Sequence, residues 1–104
     1  MSKYIVRQSA SKDLEIITDY IYEDSPKSAL MIYDELDRIC KLLASMPEMG
    51  THVKFITKRK YFMHPLGKFK SYSIFYIIED GVPHIMRVLH GRRDIENLFD
   101  DEKL

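Results

Sequence analysis

The chain has one cysteine in 104 residues. Cys40 alone cannot form an intramolecular disulfide, so stability must come from a packed core, and a reducing cytoplasm suits such a chain. No apolar run approaches the ~20 residues of a membrane-spanning helix, and no secretory signal opens the sequence. The sequence has no glycine-rich phosphate loop and no Gly-x-Ser-x-Gly elbow. The histidines, His52, His64, His84 and His90, never stand three or four apart, and Cys40 lies away from all of them. That leaves a metal site without support, and neither metal nor cofactor is expected. Net charge is also missing, since 16 Lys and Arg offset 16 Asp and Glu.

The balance hides segregation. Residues 1–50 hold six Lys or Arg against nine Asp or Glu, residues 51–94 hold nine against three, and residues 95–104 hold one against four. A positive middle of this kind sets up a local field that attracts an acidic protein or a nucleic acid while the whole molecule stays neutral. At this length the chain is expected to form one domain over residues 1–104, burying roughly 60–70% of its surface. Its composition, 45% hydrophobic and 31% charged, is that of a soluble globular protein.

Periodicity predicts the elements in order. Lys3 to Gln8 alternate as a first strand. Ser9 or Ser11 caps a helix carrying Asp13 and Glu15 in its first turn, with Ala10, Leu14, Ile17 and Ile21 along one face, widened by Ile16 and Tyr20. Ser25-Pro26 starts a second helix, in which Ala29, Ile32, Leu36, Ile39 and Leu43 keep a 3-4 rhythm until Pro47 stops it. Cys40 falls among these as a small core residue. Asp34, Glu35 and Asp37 read as a solvated acidic face. The short turn makes the two helices an antiparallel hairpin.

Beyond Pro47-Glu48-Met49-Gly50 the sequence turns to strands. Val53 and Phe55 suggest an edge strand, and Tyr61 to His64 another, interrupted by Pro65 and Gly67. A long strand from Lys68 is apolar on both faces toward its end. Glu79-Asp80-Gly81 supplies hairpin chemistry, and Pro83 stands at the start of the returning strand, His84 to His90. Asp94 caps a short last helix with Ile95, Leu98 and Phe99 on its inner side. The expected fold is α+β, in the order β-α-α-β-β-β-α: an antiparallel sheet covered on one face by the helical hairpin, with a short C-terminal helix.

Chemistry concentrates in the basic, aromatic strand region. Lys58, Arg59, Lys60, Lys68, Lys70, Arg87, Arg92 and Arg93 can neutralise phosphates, and Tyr61, Phe62, Phe69 and Tyr72 can stack on bases, although strand periodicity sends most of these rings to the core. A metal-free ribonuclease would draw its proton handlers from His90, His64 and Glu48.

The pieces together carry a resemblance over residues 4–99. Ala10-x-x-Asp13-Leu14 precedes Tyr20-Ile21, Ser25-Pro26 and Leu36-Asp37. Pro47-x-Met49-Gly50, Pro65-x-Gly67 and Tyr72-x-Ile74-Phe75-Tyr76 follow. The most specific run is Ile85-x-Arg87-Val88-Leu89-His90-Gly91-Arg92-Arg93-Asp94, leading to Leu98-Phe99. This resembles the RelE/ParE superfamily of bacterial toxins, on the ParE-like branch often labelled plasmid stabilisation proteins. The resemblance implies the toxin half of a type II toxin–antitoxin pair, acting in the cytoplasm with no membrane partner.

It also implies a ParD-like or similar antitoxin that folds on binding across the hairpin groove and sheet edge, with Ile17, Tyr20, Ile32, Leu36 and Phe55 as its candidate contacts. ParE-like members poison DNA gyrase by trapping it on cleaved DNA, which implies no catalytic residue. Arg59, Lys60, Lys68, Arg87, His90, Arg92 and Arg93 are then target-binding candidates. RelE-like members cut messenger RNA on the ribosome. For that alternative the set is His90, Arg92, Arg93, Arg87 and Lys68, with Phe99 standing where a terminal ionisable aromatic would be needed. A toxin homologue that has lost activity and only binds its antitoxin keeps the same core pattern.

Overall fold

A computed structural model describes residues 3–53 and 59–91. Along the chain lie β1 (Ile5–Val6), α1 (Gln8–Asp24), α2 (Pro26–Ser45), a 3-10 turn (Pro47–Met49), β2 (Thr51–Val53), β3 (Tyr61–Leu66), β4 (Phe69–Glu79) and β5 (Val82–His90). The strands form one sheet in the order β1-β5-β4-β3-β2. Neighbours from β2 to β5 are antiparallel, whereas β1 runs parallel to β5. The sheet is therefore mixed, with four strands after the hairpin where three were expected, and the α+β arrangement with the helices on one face is as the sequence implied. Phe55 and the expected last helix, from Asp94 through Ile95, Leu98 and Phe99, lie outside the described residues.

The helical hairpin follows directly from its apolar spacing. Ala10, Leu14 and Ile17 of α1 are buried, as are Ala29, Ile32, Leu36, Ile39, Cys40 and Leu43 of α2. All of these but Ala29 form one cluster with Phe62, Leu66, Ile74, Tyr76, Ile85 and Val88 on the near face of the sheet. Each large side chain taken fully from water contributes roughly 1.5–3 kcal/mol. Burial pushes the Cys40 thiol up to about 12, so it stays protonated and inert in this core. The far face of the sheet has its own cluster of Tyr61, Phe75, Ile77 and Leu89. β4 feeds both clusters, which explains its unbroken apolar run.

Several ends differ from the periodic reading. The N-cap of α1 is Arg7, without a side-chain cap, and no acidic residue lies in the first turn. Asp13 therefore sits in the second turn and has another use. Ile16 and Tyr20 do not widen the core face; they are 68% and 69% exposed. At 100° per residue they stand off the Leu14–Ile17 stripe, beyond what the sheet can cover.

At α2 the Ser25 Oγ accepts the Ser28 N–H at 3.2 Å, with Pro26 at the first helical position, as expected. β3 continues through Pro65 because β2 reaches only Met63, so proline's missing N–H costs no ladder bond there. Asp80 and Gly81, at φ 53 and 76, close β4 onto β5 in the two-residue turn foreseen from Asp-Gly.

A further departure is a bulge in β5. Phe75 pairs with Arg87 and Tyr76 with Ile85, leaving Met86 as an extra residue in β5. Strict alternation would put Ile85 and Val88 on opposite faces; the bulge lets both join the helix-side core.

Candidate functional site

One end of the sheet is built from the last residues of β5, the first of β4 and the turn between β3 and β4. His90 pairs with Tyr72, and their rings meet edge to face at 5.2 Å and 88°. The His90 Nδ1 is buried without a hydrogen-bond partner. Gly91 donates its N–H to Ser71 O at 2.7 Å, the last bond to β4 among the described residues.

Lys68 stands at the neighbouring turn with its side chain exposed. Its backbone N–H is fixed by Glu35 Oε2 at 2.6 Å, across from α2. Glu35 is only 5% exposed, contrary to the solvated role its position in an acidic stretch suggested. Arg38 grips the same carboxylate through Nε at 2.8 Å and Nη2 at 3.2 Å. These donors, the Arg38 guanidinium first and the Lys68 N–H second, hold Glu35 down at about 2. Gly67 makes room for this: it has φ 48, and any Cβ there would run into the Glu35 Oε2.

Arg87 is engaged within the protein. Its Nε donates to Asp13 Oδ2 at 2.8 Å and its Nη2 to Asp13 Oδ1 at 3.1 Å, with side chains 15% and 12% exposed. The Val88 N–H adds a third donor to Asp13 Oδ2 at 3.0 Å. Arg92 and Arg93 lie outside the described residues.

Among the described residues the basic candidates do not converge. Lys68 and His90 share the end just described. Arg59 and Lys60 precede β3 at the other end, about eight residues or roughly 25 Å along the sheet. There the Lys60 Nζ sits 5.4 Å from the centre of the Phe62 ring. Phe62 and Tyr61 are buried, so their rings are part of the core. Among the described residues no three of His, Cys, Asp or Glu are grouped to hold a metal ion.

Of the antitoxin candidates, Ile17, Ile32 and Leu36 are 6%, 0% and 5% exposed. They fix the hairpin to the sheet and offer almost no outer surface. Tyr20 is open, and with it Ile16, which the periodic reading assigned to the core face, and Leu30 and Tyr33, which it did not single out. Their signal was present as i, i+4 and i, i+3 apolar pairs off the core stripe. A groove of about 520 Å³ between Met46, Pro47, Glu48, Met49, Ile78 and Gly81 also went unforeseen, because it joins the end of α2 to a distant hairpin.

A helical hairpin on one face of a small sheet is the fold that the resemblance to the RelE/ParE toxins implied. The chain belongs to this superfamily. Its residues 4–95 match the model of the ParE toxin of the type II toxin–antitoxin system, parDE. It is also 32% identical over 93 residues to Toxin RelE2 of Caulobacter vibrioides, covering 89% of this chain and 99% of that protein. It is thus the toxin of a type II toxin–antitoxin pair, with a cognate antitoxin as partner. No helix among the described residues is long and apolar enough to cross a membrane.

Proposed function

We propose that this toxin acts in the cytoplasm by binding DNA gyrase and trapping it on cleaved DNA, and that a ParD-like antitoxin neutralises it. The observation that carries this reading is the dispersal of the target-binding cations among the described residues. Arg87 is spent on Asp13, and Arg59 and Lys60 lie at the opposite end of the sheet from Lys68 and His90. A spread of this kind suits a recognition surface, and the engagement of Arg87 by Asp13 takes one cation from the set that a reacting centre would need within hydrogen-bond reach. The match to the ParE family model supports the same choice. Arg92 and Arg93, following directly on Gly91, complete the proposed contact.

Ribosome-dependent cleavage of messenger RNA is the second reading. It draws on the unpartnered Nδ1 of His90, a group able to handle a proton, and on the name RelE2 of the relative. The test mixes purified protein with gyrase, ATP and relaxed plasmid. Loss of supercoiling with accumulating linear DNA is the expected result. Full supercoiling by gyrase in the presence of folded protein overturns it. A parallel assay on translating ribosomes then separates cleavage at His90 from a homologue that only binds its antitoxin.

A further inference from the structure

The parallel pairing of β1 with β5 is very short. It covers Ile5 with His84 and Val6 with Ile85, and its last bond is Arg7 N–H to Ile85 O at 2.9 Å. The chain then leaves the sheet to begin α1. Just beyond this point β5 carries the Met86 bulge, where pairing to β4 is also disturbed. A strand weakened on both sides would be expected to fray.

Asp13 meets that weakness. The Val88 N–H, past the end of β1, is taken by Asp13 Oδ2, so a side chain from α1 stands in for the missing strand residue. The same carboxylate grips Arg87 in a two-bond fork, the geometry that fixes orientation as well as distance. Aspartate is a poor choice for a helix interior, and at this second-turn position it gives α1 no N-terminal cap. Two residues later, His90 and Gly91 lead out of the sheet, and Gly91 is bonded on the inner side to Ser71. The exit of β5 is therefore pinned from the inside by β4 and from the outside by Asp13.

We infer that Asp13 is a positioning residue for the target-contacting end of β5, setting the direction in which the strand leaves the sheet through His90 and Gly91. This rests on the reading that the same end meets the toxin's target. In consequence Arg87 serves that end from within, as the partner of Asp13, and is not itself a contact.

The test compares Asp13→Ala, Asp13→Asn and Arg87→Lys with the unaltered protein. Asparagine keeps an acceptor for the Val88 N–H, and lysine keeps the charge of Arg87 without its fork. Amide exchange is read across the sheet, beside growth arrest on induction and affinity for the purified antitoxin. Asp13→Ala is expected to speed exchange at Val88–Gly91 at least tenfold, with less than a threefold change at β3 and the centre of β4. Toxic potency falls at least tenfold while antitoxin affinity moves less than threefold.

Asp13→Asn and Arg87→Lys fall between, and either one carries the test if the alanine variant does not fold. Exchange that rises equally everywhere, or not at all near Val88, overturns the inference, as does an equal loss of potency and antitoxin affinity. An unaltered protein that arrests no growth defeats the reading of the target end, while the exchange pattern still decides what Asp13 holds.

Discussion

Replacing Tyr76 with phenylalanine removes one oxygen and nothing else. The Tyr76 hydroxyl donates to Pro47 O at 2.7 Å and accepts the Gly50 N–H at 3.0 Å. It thereby ties the turn after α2 to the middle of β4. The ring is fully buried and stacks on Phe62 at 5.5 Å, so packing is retained in Tyr76→Phe. Burial pushes the phenol above its ordinary range, against the pull of the Gly50 bond, and it remains a donor through neutral pH. Each hydrogen bond lost is worth about 0.5–1.5 kcal/mol net, and the half-buried Pro47 and Gly50 recover part of this from water.

The expected loss from Tyr76→Phe is about 1–2 kcal/mol. For a domain near this size that lowers the melting midpoint by roughly 5–15 °C. Urea unfolding measures the energy, and amide exchange at Gly50 shows where it was lost. A change below about 0.5 kcal/mol with Gly50 still protected would refute the claim that this hydroxyl holds the turn. A loss above about 4 kcal/mol would show that the ring had shifted and that packing was the cause.

Acid should reveal Glu35. Its folded pKa is depressed to about 2, so the stability it contributes is complete above the ordinary glutamate value and disappears as pH falls from about 4.5 toward 2. The stability gap between the unaltered protein and Glu35→Gln, followed by urea unfolding from pH 7 to pH 2, should close across that window. A gap constant with pH would contradict the assignment. Gly67→Ala should cost at least about 1 kcal/mol from its positive φ alone, and more from the collision with Glu35; an unchanged urea midpoint would refute it. Arg92→Ala combined with Arg93→Ala should abolish growth arrest while stability changes by no more than about 0.5 kcal/mol. A large drop in the melting midpoint would make these arginines structural.

The legible part of the fold was the part written in periodic apolar residues. Leu14, Ile17, Ile32, Leu36 and Leu43 predict their helices and their burial, and Ser25-Pro26 and Asp80-Gly81 predict the turns beside them. Less visible were features that depend on residues far apart in sequence. Asp13 is separated from Val88 by 75 positions and Glu35 from Lys68 by 33, so each reads locally as a helix-surface carboxylate. The Met86 bulge was hidden because Ile85 to Leu89 is apolar on both faces apart from Arg87, so no alternation marks where the register shifts. The site suffered most from this, since Arg87 looks like an available cation until its partner on α1 is known.

The placement of β1 beside β5 has a consequence for the timing of synthesis. The first strand and both helices leave the ribosome first, yet the strand that β1 pairs with is made only at residues 82–90. Until then β1 has no ladder partner and Asp13 has neither Arg87 nor the Val88 N–H. The helices, too, lack much of the sheet on which their apolar faces rest. The closure of so long a loop must be borne before its contacts are gained, which makes it a late and comparatively slow event. A chain interrupted before β5 carries the hairpin without the completed sheet. Completion of the sheet is thus deferred by topology to the end of translation, when β1 and Asp13 first meet their partners on β5.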